Sequence, residues 1–112
     1  MLRSLWALRS RERRDAFRGQ ASDLVHQRSQ ALFELSDEAL VSLPNYSDER
    51  LVLAGVKANC VTWHEAKEDG SHWFFVQLWE SHVFNSVAAA DGFALLRGTR
   101  RPLAQEELSE GL

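Results

Sequence analysis

The side chains with the greatest chemical potential in this sequence are one cysteine and four histidines. Cys60 and His64 lie four residues apart in a run of strand-forming residues. A strand advances about 3.3 Å per residue, so about 13 Å would separate the two side chains, which is beyond hydrogen-bond reach. A thiol that acts as a nucleophile needs its base within that reach. We therefore expect Cys60 to be a buried structural cysteine.

The histidines do not form a metal-binding pattern. His72 and His82 would lie at opposite ends of one strand, and His64 would point to the other face of the sheet. A zinc site needs three or four ligands that converge on one ion, and this arrangement does not bring such a group together. The sequence therefore predicts no metal site and no cofactor.

One polar cluster has residue types suited to proton transfer. Glu80 and His82 share a strand face at a distance of about 7 Å, and the expected pairing sets Asn59 and Lys57 opposite them. A carboxylate, an imidazole and an amine can act as acids and bases, but charged pairs at a strand end more often support the sheet. The chain also has no Gly-rich phosphate loop and no nucleophile elbow. We therefore assign no catalytic residue.

Length and composition are typical of one globular domain, which we place at residues 1–112. The chain is 45% hydrophobic and 26% charged, so a packed core is expected. A single cysteine excludes an internal disulfide and fits a reducing compartment. No apolar run approaches the ~20 residues of a membrane span, and the N-terminus lacks a signal-peptide core. These features predict a cytoplasmic protein without a membrane partner.

Charge is distributed unevenly along the chain. The first 18 residues contain six arginines against Glu12 and Asp15, whereas the rest contains seven basic and fourteen acidic residues. Such a basic segment can bind nucleic acid or an acidic partner, but it can equally form the solvated face of a helix. The net charge is only −3, so we do not expect nucleic acid as a partner.

The first half of the chain, residues 5–43, has the pattern of two helices. An apolar stripe that begins at Phe17 repeats at helical spacing, and Gly19 could bend this helix because glycine is a weak helix former. Ser36 is a suitable N-cap for a short second helix. Pro44 ends that helix, since the residue before a proline avoids helical geometry.

The second half changes to the pattern of strands. Residues 50–97 predict a four-stranded antiparallel meander that packs on the N-terminal helix, and residues 98–112 read as a polar tail. The predicted fold class is therefore α+β.

Two dipeptides predict the turns between the first three strands. Ala54-Gly55 and Asp69-Gly70 both suit two-residue hairpin loops, in which the central residues take positive φ. A two-residue loop at Asp69-Gly70 would place Trp63 opposite Val76. Successive side chains of a strand point to opposite faces, so these loops also determine which residues share a face.

This pairing would place an apolar set on the sheet face turned away from the helix. The set comprises Val61, Trp63, Phe74, Val76 and Leu78. An apolar patch of this size is usually covered, so we expect self-association or a protein partner to cover this face. The N-terminal Leu2, Leu5 and Trp6 could instead cover it within one chain.

The sequence therefore favours a small cytoplasmic interaction or accessory protein, rather than an enzyme, that forms a homodimer or binds another protein. The alternative is a ligand-binding or enzymatic domain. Its pocket would lie between the helix and the concave sheet, next to His64, Trp73 and Phe75. A cavity of at least ~300 Å³ with His64 on its wall would support this alternative.

Overall fold

A computed structural model describes residues 2–81 and 86–109, and the side chains of residues 11–81 and 86–109. The elements in chain order are α1 (Leu2–Phe33), α2 (Asp37–Val41), β1 (Tyr46–Leu53), β2 (Val56–Ala66), β3 (His72–Glu80), β4 (Val87–Leu96), β5 (Thr99–Pro102) and α3 (Gln105–Leu108). The five strands form one antiparallel sheet in the order β1-β2-β3-β4-β5. The α+β class and the meander are confirmed.

Helix α1 is continuous, since residues on both sides of Gly19 are helical. Its buried positions begin at Phe17 and continue through Ala21, Val25 and Ser29, whereas residues 11–16 are all exposed. The molecule measures 60 × 22 × 20 Å, with a radius of gyration of 16.2 Å. A compact domain of this length would have a radius of gyration of about 13 Å, so the early part of α1 projects beyond the sheet.

The second helix begins where the sequence predicts. The Ser36 hydroxyl accepts a hydrogen bond from the Ala39 N–H at 3.1 Å, and it thereby satisfies a donor that the helix itself leaves free. Leu40 is fully buried, and it packs with Phe74 and Phe93 beneath the end of α1. The short helix therefore closes one end of the core.

The strand boundaries differ from the prediction at both ends of the sheet. The sheet begins at Tyr46 rather than at residue 50, and a fifth strand, β5, occupies part of the predicted polar tail. Arg97 and Gly98 both take positive φ and form a two-residue turn between β4 and β5. This is the turn that Xaa-Gly dipeptides favour in hairpins.

The register of the first hairpin is confirmed, whereas that of the second is wrong by one residue. Ala54-Gly55 is a two-residue turn with Leu53 paired to Val56. At the second turn, the loop is Glu68-Asp69-Gly70: the Lys67 N–H donates to the Ser71 carbonyl, and the Gly70 N–H donates back to the Lys67 carbonyl. Gly70, at φ +87°, ends a three-residue loop of the bulged kind. Trp63 therefore pairs with Phe75 rather than Val76.

The extra residue in the loop moves the side chains of β3 that were predicted for one face of the sheet to the other face. The inner face, covered by α1, carries Ala58 and Cys60 of β2 together with Val76 and Leu78 of β3. The outer face carries Trp63, Trp73 and Phe75, and it packs against Leu103 and Leu108 of the C-terminal segment. Each face of the sheet is thus covered by an opposite end of the described chain.

Gly92 allows β4 to cross β3 closely. A Cβ atom at this position would meet the Phe74 carbonyl oxygen and would lie 2.6 Å from the Phe75 Cβ. Only a residue without a side chain fits here, so Gly92 sets the close approach of the two strands.

Candidate functional site

The five residues predicted to form an interaction surface do not share a face, and this expectation is wrong. Phe74, Val76 and Leu78 are fully buried beneath α1 and α2. Val61 and Trp63 lie on the outer face, opposite Gln77 and Phe75 of β3. The cause is the three-residue loop at Asp69-Gly70, which shifts the register by one residue and so moves every side chain of β3 to the other face.

An aromatic cluster nonetheless lies on the outer face. Trp63 stacks on Phe75 at 6.1 Å between ring centroids, and Tyr46 meets Trp63 edge to face at 5.0 Å. Trp73 lies beneath the Lys67 ammonium, which is 4.1 Å from its ring centroid. The three residues Tyr46, Trp63 and Trp73 keep part of their surface exposed. We call the outer surface of β1–β3 the aromatic face. Its exposed or partly exposed aromatic side chains are Tyr46, Trp63, Trp73 and Trp79.

A buried glutamine holds this face in one conformation. The Gln77 Oε1 atom accepts hydrogen bonds from the indole N–H of Trp63 at 2.8 Å and of Trp79 at 3.2 Å. Its amide nitrogen donates to the Leu108 carbonyl at 3.3 Å. Gln77 is 1% exposed, so the amide fixes two indole rings and the end of α3 together. Such a network orients aromatic rings more strictly than packing alone.

The C-terminal segment covers part of the outer face. Leu103 and Leu108 are buried against Phe75. Arg101 and Glu107 form a two-bond ion pair, with both contacts at 2.9 Å, and Glu107 also accepts the Ala104 N–H at 2.9 Å. The Arg101 hydrogen bond, followed by that from the backbone, lowers the pKa of Glu107 to about 2. The C-terminal segment thus covers a face for which the sequence predicted a cover from Leu2, Leu5 and Trp6. The side chains of those three residues lie outside the described residues.

The two ends of the aromatic face carry opposite charge. Arg50 and Lys57 lie on this face, at the end near the β1–β2 turn. At the β2–β3 turn, the Lys67 ammonium is 2.8 Å from a carboxylate oxygen of Glu65, and the exposed Glu68 and Asp69 add negative charge. The Ser71 hydroxyl and N–H donate to Asp69 and lower the pKa of that carboxyl, so it stays ionised.

The predicted pocket next to His64, Trp73 and Phe75 is also wrong. Trp73 and Phe75 lie on the outer face, whereas His64 is buried on the inner face, where it stacks on Phe74 at 4.5 Å. The three described cavities have other walls.

The structure brings together two histidines that the expected register had kept apart. The His64 Nε2 and His72 Nδ1 atoms are 2.9 Å apart, and the His64 Nδ1 atom is 3.0 Å from the Leu43 carbonyl oxygen. A carbonyl only accepts, so in the neutral rings His64 donates from Nδ1 and accepts the His72 Nδ1–H. The pair therefore ties the β2–β3 hairpin to the loop after α2.

Two of the three described cavities lie between α1 and the sheet. One of about 500 Å³ is at the end of the sheet near Arg13, Arg14 and Arg18. The other, of about 360 Å³, lies along α1 and β4, where the His26 Nδ1 atom is 3.0 Å from an Asp91 carboxylate oxygen. Both cavities exceed the ~300 Å³ expected of a ligand pocket, but His64 lines neither of them.

The remaining candidates for chemistry are structural or incomplete. Cys60 is buried as predicted, and burial raises the pKa of its thiol, which makes it a poor nucleophile. Glu80 pairs with Ala58 and faces inward, away from Lys57 and Asn59, while His82 lies outside the described residues. Among residues 2–81 and 86–109, no group of three or more His, Cys, Asp or Glu side chains could hold a metal ion.

None of the helices in the described part of the chain is both long and apolar enough to cross a membrane. Comparison of the chain with models of protein families, with curated proteins and with solved structures found no match.

Proposed function

We propose that this chain is a small non-enzymatic interaction protein that pairs with a second copy of itself through the aromatic face. The supporting observation is the partial exposure of Tyr46, Trp63, Trp73 and Trp79 on one face, beside the area that α3 covers. Aromatic side chains are enriched at the centres of protein interfaces. Large rings held by a buried hydrogen-bond network also lose little conformational entropy on binding. The free, buried Cys60 fits a reducing compartment, and we place the protein in the cytoplasm.

The charges around the aromatic face favour a two-fold partner. One end carries Arg50 and Lys57, and the other end carries Glu68 and Asp69 next to the Glu65–Lys67 pair. A two-fold axis that lies in the interface plane and runs across the strands would place the basic end of each copy over the acidic end of the other. Complementary charge of this kind favours this orientation over the one in which like ends meet.

The size of the face indicates a weak dimer. Three strands about 4.8 Å apart and about 30 Å long cover roughly 450 Å² of sheet. Stable interfaces bury about 800 Å² on each partner, and smaller ones belong to transient complexes. We therefore expect a dissociation constant in the micromolar range and a mass that rises with concentration.

The test is sedimentation velocity over a range of protein concentrations. Val52 and Tyr46 lie on the aromatic face and are 62% and 49% exposed, so Val52→Asp and Tyr46→Asp should leave the fold intact and should each place a carboxylate where an apolar side chain would be buried at the interface. The matched control is Val41→Asp, because Val41 is 44% exposed but lies on α2. Trp63→Asp is less suitable, since it would also break the hydrogen bond to Gln77.

We expect the wild type and Val41→Asp to dimerise with the same constant, and both aromatic-face variants to remain monomeric. A wild-type protein that stays monomeric up to about millimolar concentration, well above the expected constant, would refute self-association. A dimer that survives both Val52→Asp and Tyr46→Asp would show that the interface lies elsewhere.

A further inference from the structure

The larger cavity between α1 and the sheet has walls of two kinds. Its volume is about 500 Å³, which lies in the range of pockets for small ligands. The helix side presents Arg13, Arg14 and Arg18 around the buried ring of Phe17. The sheet side presents Val56, Glu80, Ser86, Val87 and Ala88.

The cavity has an excess of positive charge. Three arginines and only one acidic residue, Glu80, line it. Within residues 11–81 and 86–109, none of these three arginines forms an ion pair, whereas Arg28, Arg100 and Arg101 each do. Arg14 and Arg18 are one helical turn apart, and like charges at this spacing destabilise a helix. An anion bound between them would remove this repulsion.

The rest of the wall is apolar. Phe17 is 5% exposed, and it lies with Val56, Val87 and Ala88 around the cavity. A free inorganic anion would leave this apolar wall in contact with water. A ligand that joins an anionic group to a short apolar group would match both parts of the wall. Arginine presents planar N–H pairs that match a phosphate, and the Ser86 hydroxyl can donate one more hydrogen bond.

We propose that this cavity binds a small soluble organic phosphate, with the phosphate held by Arg14 and Arg18 and the apolar group held against Phe17 and Val87. The cavity lies on the helix side of the sheet and the aromatic face lies on the other side. Ligand binding and self-association are therefore separate properties, and either can fail without the other.

The test uses isothermal titration calorimetry with hexyl phosphate, and with inorganic phosphate and hexanol as the two halves of this probe. We expect hexyl phosphate to bind at least about tenfold more tightly than inorganic phosphate, because several methylene groups leave water. Hexanol should not bind. Equal affinity for hexyl phosphate and inorganic phosphate would refute the role of the apolar wall, and no binding of either would refute the site.

Arginine variants test whether the phosphate is held at this cavity. Arg14→Gln/Arg18→Gln should weaken hexyl phosphate binding by about tenfold or more, since both charge-assisted contacts are removed. The matched control is Arg11→Gln, which is exposed on the same helix but does not line the cavity; it should bind as the wild type does. An unchanged affinity in the double variant, with an unchanged circular dichroism spectrum, would overturn the proposal.

Two further measurements define the ligand and its position. In ¹H–¹⁵N spectra, hexyl phosphate should shift the amide signals of Val87 and Ala88, whereas shifts confined to other strands would contradict the assignment. Flotation with phosphatidylcholine vesicles that contain phosphatidic acid distinguishes a soluble ligand from a lipid headgroup. We expect no flotation, and binding to the vesicles without binding to hexyl phosphate would overturn the proposal of a soluble ligand.

Discussion

Arg100 of β5 joins the sheet to the two helices, and its removal gives the clearest test of how the core is closed. Its guanidinium donates to the carbonyl oxygens of Phe33 and Leu35, and it lies 2.7 Å from a carboxylate oxygen of Asp37. It also lies over the Phe33 and Phe93 rings, at 5.4 and 6.0 Å from their centroids. One side chain thus donates hydrogen bonds to the end of α1 and to the start of α2, and it also packs on two aromatic rings at this end of the core.

Arg100→Met keeps an unbranched apolar stem and removes the guanidinium with its charge. Hydrogen bonds to a charged group contribute about 1.5–3 kcal/mol, and contacts with aromatic faces add about 0.5–1 kcal/mol. The Arg100 side chain is only 16% exposed, so water screens these interactions little. We expect the free energy of unfolding to fall by about 2–4 kcal/mol, which a domain with 5–15 kcal/mol of stability tolerates.

The matched control is Arg28→Met. Arg28 also forms an ion pair, with Glu49 at 2.8 Å, but the two side chains are 48% and 52% exposed. Exposed pairs contribute about 0.2–1 kcal/mol. In urea titrations followed by tryptophan fluorescence, Arg100→Met should lower the midpoint by about 1–2 M and Arg28→Met by much less. Equal losses in the two variants would refute the role assigned to Arg100.

Two further predictions concern glycine and pH. Gly92→Ala should lower the thermal midpoint sharply, because the added Cβ would clash with Phe75. Gly19 has open space around it, so Gly19→Ala should raise the free energy of unfolding by about 0.5–1 kcal/mol. An unchanged midpoint in Gly92→Ala would contradict the close approach of β4 to β3. The pKa of Glu107 is lowered from 4.5 to about 2 by Arg101, so its contribution to the stability of the C-terminal segment is present above pH 4.5 and is lost as the pH falls towards 2. Tryptophan fluorescence between pH 5 and 2 should report this loss in the wild type and not in Glu107→Gln, and identical profiles would contradict it.

Most of the fold follows from local sequence signals. The helical stripe from Phe17, the N-cap at Ser36 and the turn at Ala54-Gly55 all depend on residues within a few positions of one another, and the structure contains all three. The fifth strand was missed because Thr99–Pro102 is short and polar. Its only signal is the turn at Arg97-Gly98, which a search for hairpin dipeptides can find.

The site was harder to predict because it depends on one residue of register. Asp69-Gly70 suits both a two-residue loop and the last two positions of a three-residue loop. The choice between them decides whether Phe75 or Phe74 joins Trp63 on the outer face, and whether His64 meets His72. The hydrogen bond from the Lys67 N–H to the Ser71 carbonyl decides it, and no residue type in the loop encodes that bond uniquely.

The covering of the two sheet faces by opposite ends of the described chain has a consequence for synthesis on the ribosome. Helix α1 emerges before the sheet, and its apolar stripe has no partner until β2 and β3 follow. The outer face closes last, because Phe75 remains uncovered until Leu103 and Leu108 have left the exit tunnel. Between these two events the nascent sheet exposes its aromatic face together with the ring of Phe75. Transiently exposed apolar surface of this kind is what molecular chaperones bind, so the emergence of Leu103 and Leu108 ends the exposure of Phe75 to aggregation.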